Sequence, residues 1–238
     1  MRKITLYLLS IFDKLYQIKI IKKLQKIFNN NIDTVFDVGA HKGEFIKLIL
    51  NNFITNKIYS FEPSEKNYKI LKNNINNLNL KKSQIYLNNF ALGENNEKRE
   101  FKQMVESSSS TLSNIDTNSK YFKRKNFFLN FGFNAKIFDK VTIEIKNGSS
   151  FLEIEKIDKI DLLKIDTEGH EYFVIKGFGD ELRKIKIIFF EHHYDQMIVK
   201  DYTFSNIHDY LILKDFKPYS KFKMPFRKSF EYIYINKN

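Results

Sequence analysis

The chain contains no cysteine, which excludes disulfides, thiolate zinc sites and every mechanism built on a cysteine nucleophile. Such a composition fits a reducing compartment. It has only 3 Pro and 8 Gly, which excludes collagen-like, Pro-rich and Gly-rich linker character. No apolar run approaches the roughly 20 residues of a membrane span. The opening MRKITLYLLSIF resembles a signal peptide only briefly. Its apolar run stops at Asp13, no small-residue cleavage site follows, and Lys14 and Lys19 come next. What is present is a chain of 238 residues, 42% hydrophobic and 16% aromatic. That suffices for one large domain with a substantial core and excludes global disorder.

The net charge is +12, and it is unevenly placed. Residues 1–28 carry seven Lys/Arg and one Asp, and residues 214–238 carry seven Lys/Arg and two acids. The remainder is close to neutral. A nucleic-acid enzyme concentrates basic surface around its cleft. Basic ends suit an anionic membrane surface or an acidic polymer, or are simply solvated.

At the N-terminus, Ile4, Leu8, Ile11, Leu15 and Ile18 recur at helical spacing, and Ile20, Ile21, Leu24, Ile27 and Phe28 continue the stripe. Residues 1–30 read as one or two amphipathic basic helices, an appendage to a domain over 31–238. They either pack on that domain or bind a membrane interface. The domain then alternates. Thr34–Val38 is a strand, Gly43–Phe53 a helix, Lys57–Phe61 a strand, Glu65–Leu78 a helix and Gln84–Leu92 a third strand. This is the pattern of a doubly wound, mostly parallel sheet. Residues 94–150 are less regular, with a polar stretch at Ser107–Ser113 and an aromatic-rich segment around Tyr121–Phe138. Strands at Ile160–Ile165 and Ile185–Glu191 flank a short helix, His170–Phe178. A helix near Asn206–Leu213 precedes an antiparallel hairpin, Lys217–Lys223 with Ser229–Ile235.

The first strand ends in Asp37-Val38-Gly39-Ala40-His41-Lys42-Gly43. In such sheets ligands sit beyond the carboxyl ends of the strands. Gly39 permits a tight turn and close approach to a ligand, and Gly43 opens the next helix. The second strand ends at Glu62, where a carboxylate can accept both hydroxyls of a ribose. A nicotinamide site wants three glycines around a pyrophosphate, whereas here position 41 is His. Asp37 would repel pyrophosphate but suits the amino-acid part of S-adenosylmethionine. The expected cofactor is therefore a sulfonium nucleoside.

The segments VFDVGAHKG, IYSFEPSEKNYKILKNNI, NNFALGENN, SSSSTL, LLKIDTEGHEYFVIKG and IIFFEHH, in that order from about Val35 to His193, resemble the FkbM family of S-adenosylmethionine-dependent methyltransferases. The resemblance implies a class I methyltransferase (Rossmann-like) fold. It also implies O-methylation of sugars or other small hydroxylated metabolites. It extends the cofactor set to Asp37, Gly39, Ala40, His41, Gly43, Glu62, Pro63, Ser64, Asn89, Ala91 and Asp166. The basic N-terminal helix and residues 115–140 have no counterpart in it.

Methyl transfer to a hydroxyl needs an oriented acceptor and a route for its proton. Asp166 ends the fourth strand. Glu191, His192 and His193 end the next, so Asp166, Glu191 and His193 are the expected catalytic groups. They act as a general base, or gather a divalent cation that acidifies the hydroxyl, or only cap helices and hold loops. Glu168 and Glu171 fit the last role. Ser107–Thr111 is either a ligand-binding or a solvated loop. Tyr121, Phe122, Phe127, Phe128, Phe131 and Phe133 form a lid or ordinary packing.

The expected substrate is a sugar hydroxyl of a surface glycan or its precursor, handled in the cytoplasm with peripheral contact at the inner membrane face. Nucleic acid is the weaker expectation. There is no cysteine for cytosine methylation, and the position of an Asn/Asp-Pro-Pro-aromatic motif reads Asp166-Thr167-Glu168-Gly169. Ribose methylation and a non-catalytic nucleoside-binding scaffold are the alternatives.

Overall fold

The computed structural model describes the backbone of residues 2–14 and, in full, residues 15–78, 83–104, 110–119, 122–123, 138–195, 197–225 and 227–237. In chain order the elements begin with α1 (Arg2–Phe28), β1 (Asn31–Val38), α2 (Glu44–Asn52), β2 (Ile54–Phe61), α3 (Glu65–Asn76) and β3 (Gln84–Asn88). There follow β4 (Ala91–Gly93), β5 (Glu97–Met104), β6 (Asn114–Ile115), β7 (Phe138–Asn147), α4 (Gly148–Ile154), β8 (Ile160–Ile165) and α5 (Glu171–Phe178). After a 3-10 turn come β9 (Ile185–His193), β10 (Ile198–Val199), α6 (Phe204–Leu213), β11 (Phe216–Lys223) and β12 (Ser229–Asn236).

The central sheet has seven strands in the order β11-β12-β9-β8-β1-β2-β3. The last five of that order run parallel, while β12 pairs antiparallel with β9 and β11 with β12. The doubly wound sheet and its closing hairpin are thus as the sequence predicts. β8 is buried along its whole length, as befits a parallel strand covered on both faces. Successive residues of each strand feed opposite cores. Val35, Ile58, Leu162 and Ile187 face α1, α2 and α3. Phe36, Tyr59, Leu163 and Ile188 face α4, α5 and α6. Local capping signals start two of the helices. Ser64 caps α3 through Asn67 N–H at 3.2 Å, and Asn147 caps α4 through Ser150 N–H at 2.9 Å.

Two readings need correction. The third strand is not continuous to Leu92: β3 ends at Asn88 and the chain breaks at Asn89-Phe90. β4 leaves for a second sheet of order β4-β7-β5. Phe90 and Leu92 pack on the core of the main sheet, while Ala91 joins Phe101, Ile143 and Ile145 in the core of the second. Residues 94–150 also hold more regular structure than their pattern suggests. β5 and β7 pair antiparallel from Glu97↔Ile145 to Met104↔Phe138. In β5 only Phe101 and Met104 are buried, so its charged, solvent-side residues hide the alternation. Ser107, Tyr121, Phe127, Phe128, Phe131 and Phe133 lie outside the described residues. Phe122 packs with Met104, Met197 and Ile198.

α1 is a single helix of 27 residues. Ile20, Ile21, Leu24 and Phe28 are buried in the core it shares with β9 and β12, while Leu15 and Ile18 stand exposed. Among the described residues no helix is long and apolar enough to cross a membrane.

Candidate functional site

A cavity of about 350 Å³ opens beyond the carboxyl ends of β1, β2, β8 and β9. Its first wall is the turn after β1. The Gly39 and Ala40 N–H groups both donate to Phe61 O at 3.0 Å, holding that turn against β2. Gly39 has φ +79°, and a Cβ there would lie 1.9 Å from the Asp166 carbonyl oxygen, so only glycine lets the two strand ends meet. His41 is left-handed at φ +50°. That conformation aims its N–H at Glu62 Oε2, 2.8 Å away, while Ser64 N–H donates to Oε1 at 2.9 Å. Glu62 is thereby fixed at the cavity wall. Burial pushes its carboxyl up to about 7, against the pull of those two amides. His41 Nδ1 lies 3.3 Å from Glu44 Oε1.

The cavity is lined by Gly39, Ala40, His41, Glu62, Pro63, Ala91 and Asp166 of the expected set. The other four stand behind it. Ser64 caps α3, Gly43 packs under Leu71 and Ile75 of α3, and Asn89 Nδ2 donates to Glu62 O at 2.9 Å. Asp37 is fully buried beneath Lys164.

Lys164, which sequence reasoning passed over, is the cation that connects these parts. It is the register partner of Asp37 on β8. Its Nζ lies 3.0 Å from Asp37 Oδ1 and 3.7 Å from Asp166 Oδ2, and donates to Gly39 O at 3.0 Å. Burial alone lowers its ammonium, but Asp37 and then Asp166 outweigh burial and hold it above the ordinary lysine range. The signal was a lone lysine in the apolar run Leu162-Leu163-Lys164-Ile165.

The far wall is acidic. Asp166 follows β8 and is partly exposed. Glu191 on β9 is buried and lines the cavity. Burial, then the neighbouring Asp166, raises its carboxyl. Directly across the ladder is Glu231 on β12, also lining the cavity. Tyr16 of α1 donates its hydroxyl to Glu231 Oε2 at 2.6 Å. Arg227 and Met224 of the β11–β12 turn complete that end. Neither Glu231 nor Tyr16 was singled out from the sequence. A single acid inside Ser229–Asn236, an otherwise aromatic and aliphatic strand, was the available signal.

β9 continues to His193, so His193 does share the face of Glu191, its Nε2 3.3 Å from both Glu191 Oε1 and Glu168 Oε2. Its Nδ1 lies 3.5 Å from Asp195 Oδ2. Against its burial, Glu168, then Asp195 and Glu191, raise the imidazole to about 10, so it stands charged at neutral pH behind the cavity wall. The turn from 167 to 170 is built around Glu171. Its Oε1 accepts from Gly169 N–H at 2.8 Å and Thr167 Oγ1 at 3.1 Å, and its Oε2 from the Tyr202 hydroxyl at 2.6 Å. Thr111 and Ser113 brace the same turn by donating to Glu168 O and Gly169 O. Among the described residues no three His, Asp or Glu side chains are arranged to hold a metal ion.

A family model for the methyltransferase FkbM domain matches residues 37–218. No curated protein matches the chain. Among solved structures, the fold resembles the methyltransferase FkbM from Methylobacillus flagellatus KT. That likeness has 15% identity and a TM-score of 0.54, and covers 86% of this chain but 44% of that one. This chain therefore spans less than half the length of that relative. It also resembles TrmK of M. capricolum, solved with its cofactor product S-adenosylhomocysteine. There the identity is 15%, the TM-score 0.51, and the coverage 92% of this chain and 67% of that one. Magnesium protoporphyrin IX methyltransferase (ChlM) from Synechocystis PCC 6803 with bound S-adenosylmethionine is similar at 10% identity and a TM-score of 0.53. That match covers 95% of this chain and 80% of that one. At such identities these likenesses establish the fold, that of class I methyltransferases.

Proposed function

The chain belongs to the FkbM methyltransferase family, and from that premise we propose that it transfers a methyl group from S-adenosylmethionine to a sugar hydroxyl of a surface glycan, a glycan precursor or a similar small hydroxylated metabolite. The observation that carries this reading is a single cavity with two chemically distinct ends. At one end the Gly39 turn admits close backbone approach and Glu62 presents an anchored carboxylate. At the other stand the carboxylates of Asp166, Glu191 and Glu231. Glu62 holds the ribose hydroxyls, and Ala40, His41, Pro63 and Ala91 enclose the nucleoside. Lys164, with Asp37 neutralising it from behind, receives the carboxylate of the amino-acid part. Bound S-adenosylmethionine supplies an electrophilic methyl on a sulfonium. The carboxylates of Asp166, Glu191 and Glu231 at the far wall orient the acceptor and take its proton. His193, held by Glu168, Glu191 and Asp195, positions Glu191.

The exposed side of α1, with Leu15 and Ile18 beside Lys19, Lys22 and Lys26, is the surface we assign to peripheral contact with an anionic inner membrane face.

Calorimetric titration with S-adenosylhomocysteine, with NAD as control and with and without magnesium, tests the cofactor. Micromolar binding of the first alone is expected, followed by methyl incorporation from labelled S-adenosylmethionine into nucleotide sugars or glycans. Binding of NAD instead sinks the reading. Transfer to RNA but to no saccharide replaces its acceptor. A magnesium-dependent heat adds a cation to the far wall.

A further inference from the structure

We propose that Glu231, on the last strand and outside every motif of the sequence, faces the transferred methyl and is the base that accepts the acceptor's proton. This rests on the reading of the cavity as a site for methyl transfer to a hydroxyl. Glu231 lies across the ladder from Glu191, so both side chains rise from the same sheet face into the cavity. Glu191 Oε1 is buried without a hydrogen bond, 3.3 Å from His193 Nε2, and so is already tied to the charged wall behind it. Glu231 takes the Tyr16 hydroxyl of α1 on Oε2 at 2.6 Å, which leaves Oε1 for a ligand in the cavity that both residues line. The groups facing Glu231 are Glu191 from β9, Asp166 and Lys164 from the β8 end, Tyr16 from α1 and Arg227 from the hairpin turn. Burial, then Glu191 and Asp166, pushes its carboxyl up to about 8, against the Tyr16 hydroxyl and Lys164. A carboxylate with this affinity for a proton suits a base working near neutral pH.

In the step, the acceptor O–H proton passes to Glu231 as that oxygen forms its bond to the methyl carbon. The carbon–sulfur bond breaks with its electron pair left on sulfur, which becomes a neutral thioether. Glu231 then returns the proton to water.

S-adenosylmethionine and S-adenosylhomocysteine differ only in the charged methyl, so their affinity ratio reads the field at that point without any acceptor. We would measure both by calorimetry at pH 6.5 and 9 for the wild type, Glu231→Gln and Tyr16→Phe, with thermal melts as a folding control. Comparing variants with the wild type cancels the ligands' own titration. In the wild type the ratio should rise with pH in favour of the sulfonium. In Glu231→Gln that preference should fall about tenfold at pH 9, as expected for one unit charge a few ångströms away, with S-adenosylhomocysteine affinity unchanged. Tyr16→Phe removes a stabilising donor and should move the rise to higher pH, which keeps the test available if Glu231→Gln does not fold. With any acceptor in hand, Glu231→Gln should lose about 10²- to 10⁴-fold in turnover. An unchanged ratio, equal loss of both ligands, or retained turnover overturns the proposal. Failure of the wild type to bind S-adenosylhomocysteine instead overturns the reading on which it rests.

Discussion

The residues that build the cavity and its walls divide by whether their demand is local. Gly39, His41 and Glu62 lie on two strand ends joined by one helix, and their spacing alone places them together. Lys164 and Glu231 were not legible in that way, because their meaning comes from strand neighbours remote in the chain: Asp37 in register with one, Glu191 opposite the other. A lone lysine in Leu162-Leu163-Lys164-Ile165 and a lone acid in Ser229–Asn236 were the visible traces. Gly39 is the most sharply constrained of these positions. An alanine Cβ would meet the Asp166 carbonyl at 1.9 Å in a left-handed backbone. Steric overlap and strain of this kind cost about 1–3 kcal/mol each. Gly39→Ala should therefore lower the melting temperature and abolish measurable S-adenosylhomocysteine binding. A variant that binds normally by calorimetry would show that β1 and β8 separate freely, contrary to this geometry.

Among the elements, the strands and helices with one buried face announced themselves. Those that failed to do so share a cause. β5 buries two residues among charges, and β4 is three residues long, so neither offers a period to read. α1 is the informative case, since its sequence pattern fitted both an appendage and a packed helix. Leu24 is fully buried in the core shared with β9 and β12, whereas Leu15 is 53% exposed. Leu24→Ala should cost about 2–5 kcal/mol through the cavity it leaves, and Leu15→Ala no more than about 0.5 kcal/mol. Thermal melts of the two variants decide this. Equal, small shifts would mean that the helix contributes nothing to the domain's core. A large shift for Leu24→Ala alone makes α1 part of the domain and explains how Tyr16 is held over Glu231.

At the scale of the whole molecule, α1 presents two chemically different sides. Its buried side closes the core and carries Tyr16 to the cavity wall. Its open side carries Leu15 and Ile18 next to Lys19, Lys22 and Lys26, none of which pairs with a carboxylate among the described residues. Apolar side chains interleaved with unpaired lysines suit an anionic bilayer better than a nucleic acid, which would call for basic groups around the cavity itself. Each lysine near such a surface contributes about 1 kcal/mol. Replacing Lys19, Lys22 and Lys26 by alanine should therefore weaken co-sedimentation with phosphatidylglycerol-containing vesicles by about 100-fold. Raising the salt should weaken the wild type in the same direction, because exposed charges are screened within about 10 Å at 0.1 M. Since these lysines lie away from the cavity, S-adenosylhomocysteine affinity should not change. Equal binding to neutral phosphatidylcholine vesicles would assign the contact to the apolar residues alone. Stronger binding to a single-stranded RNA oligomer than to the vesicles would overturn the membrane assignment. That outcome would also make a nucleic-acid acceptor the better reading of the cavity, because the charge that steers the protein would then be steering it to its substrate.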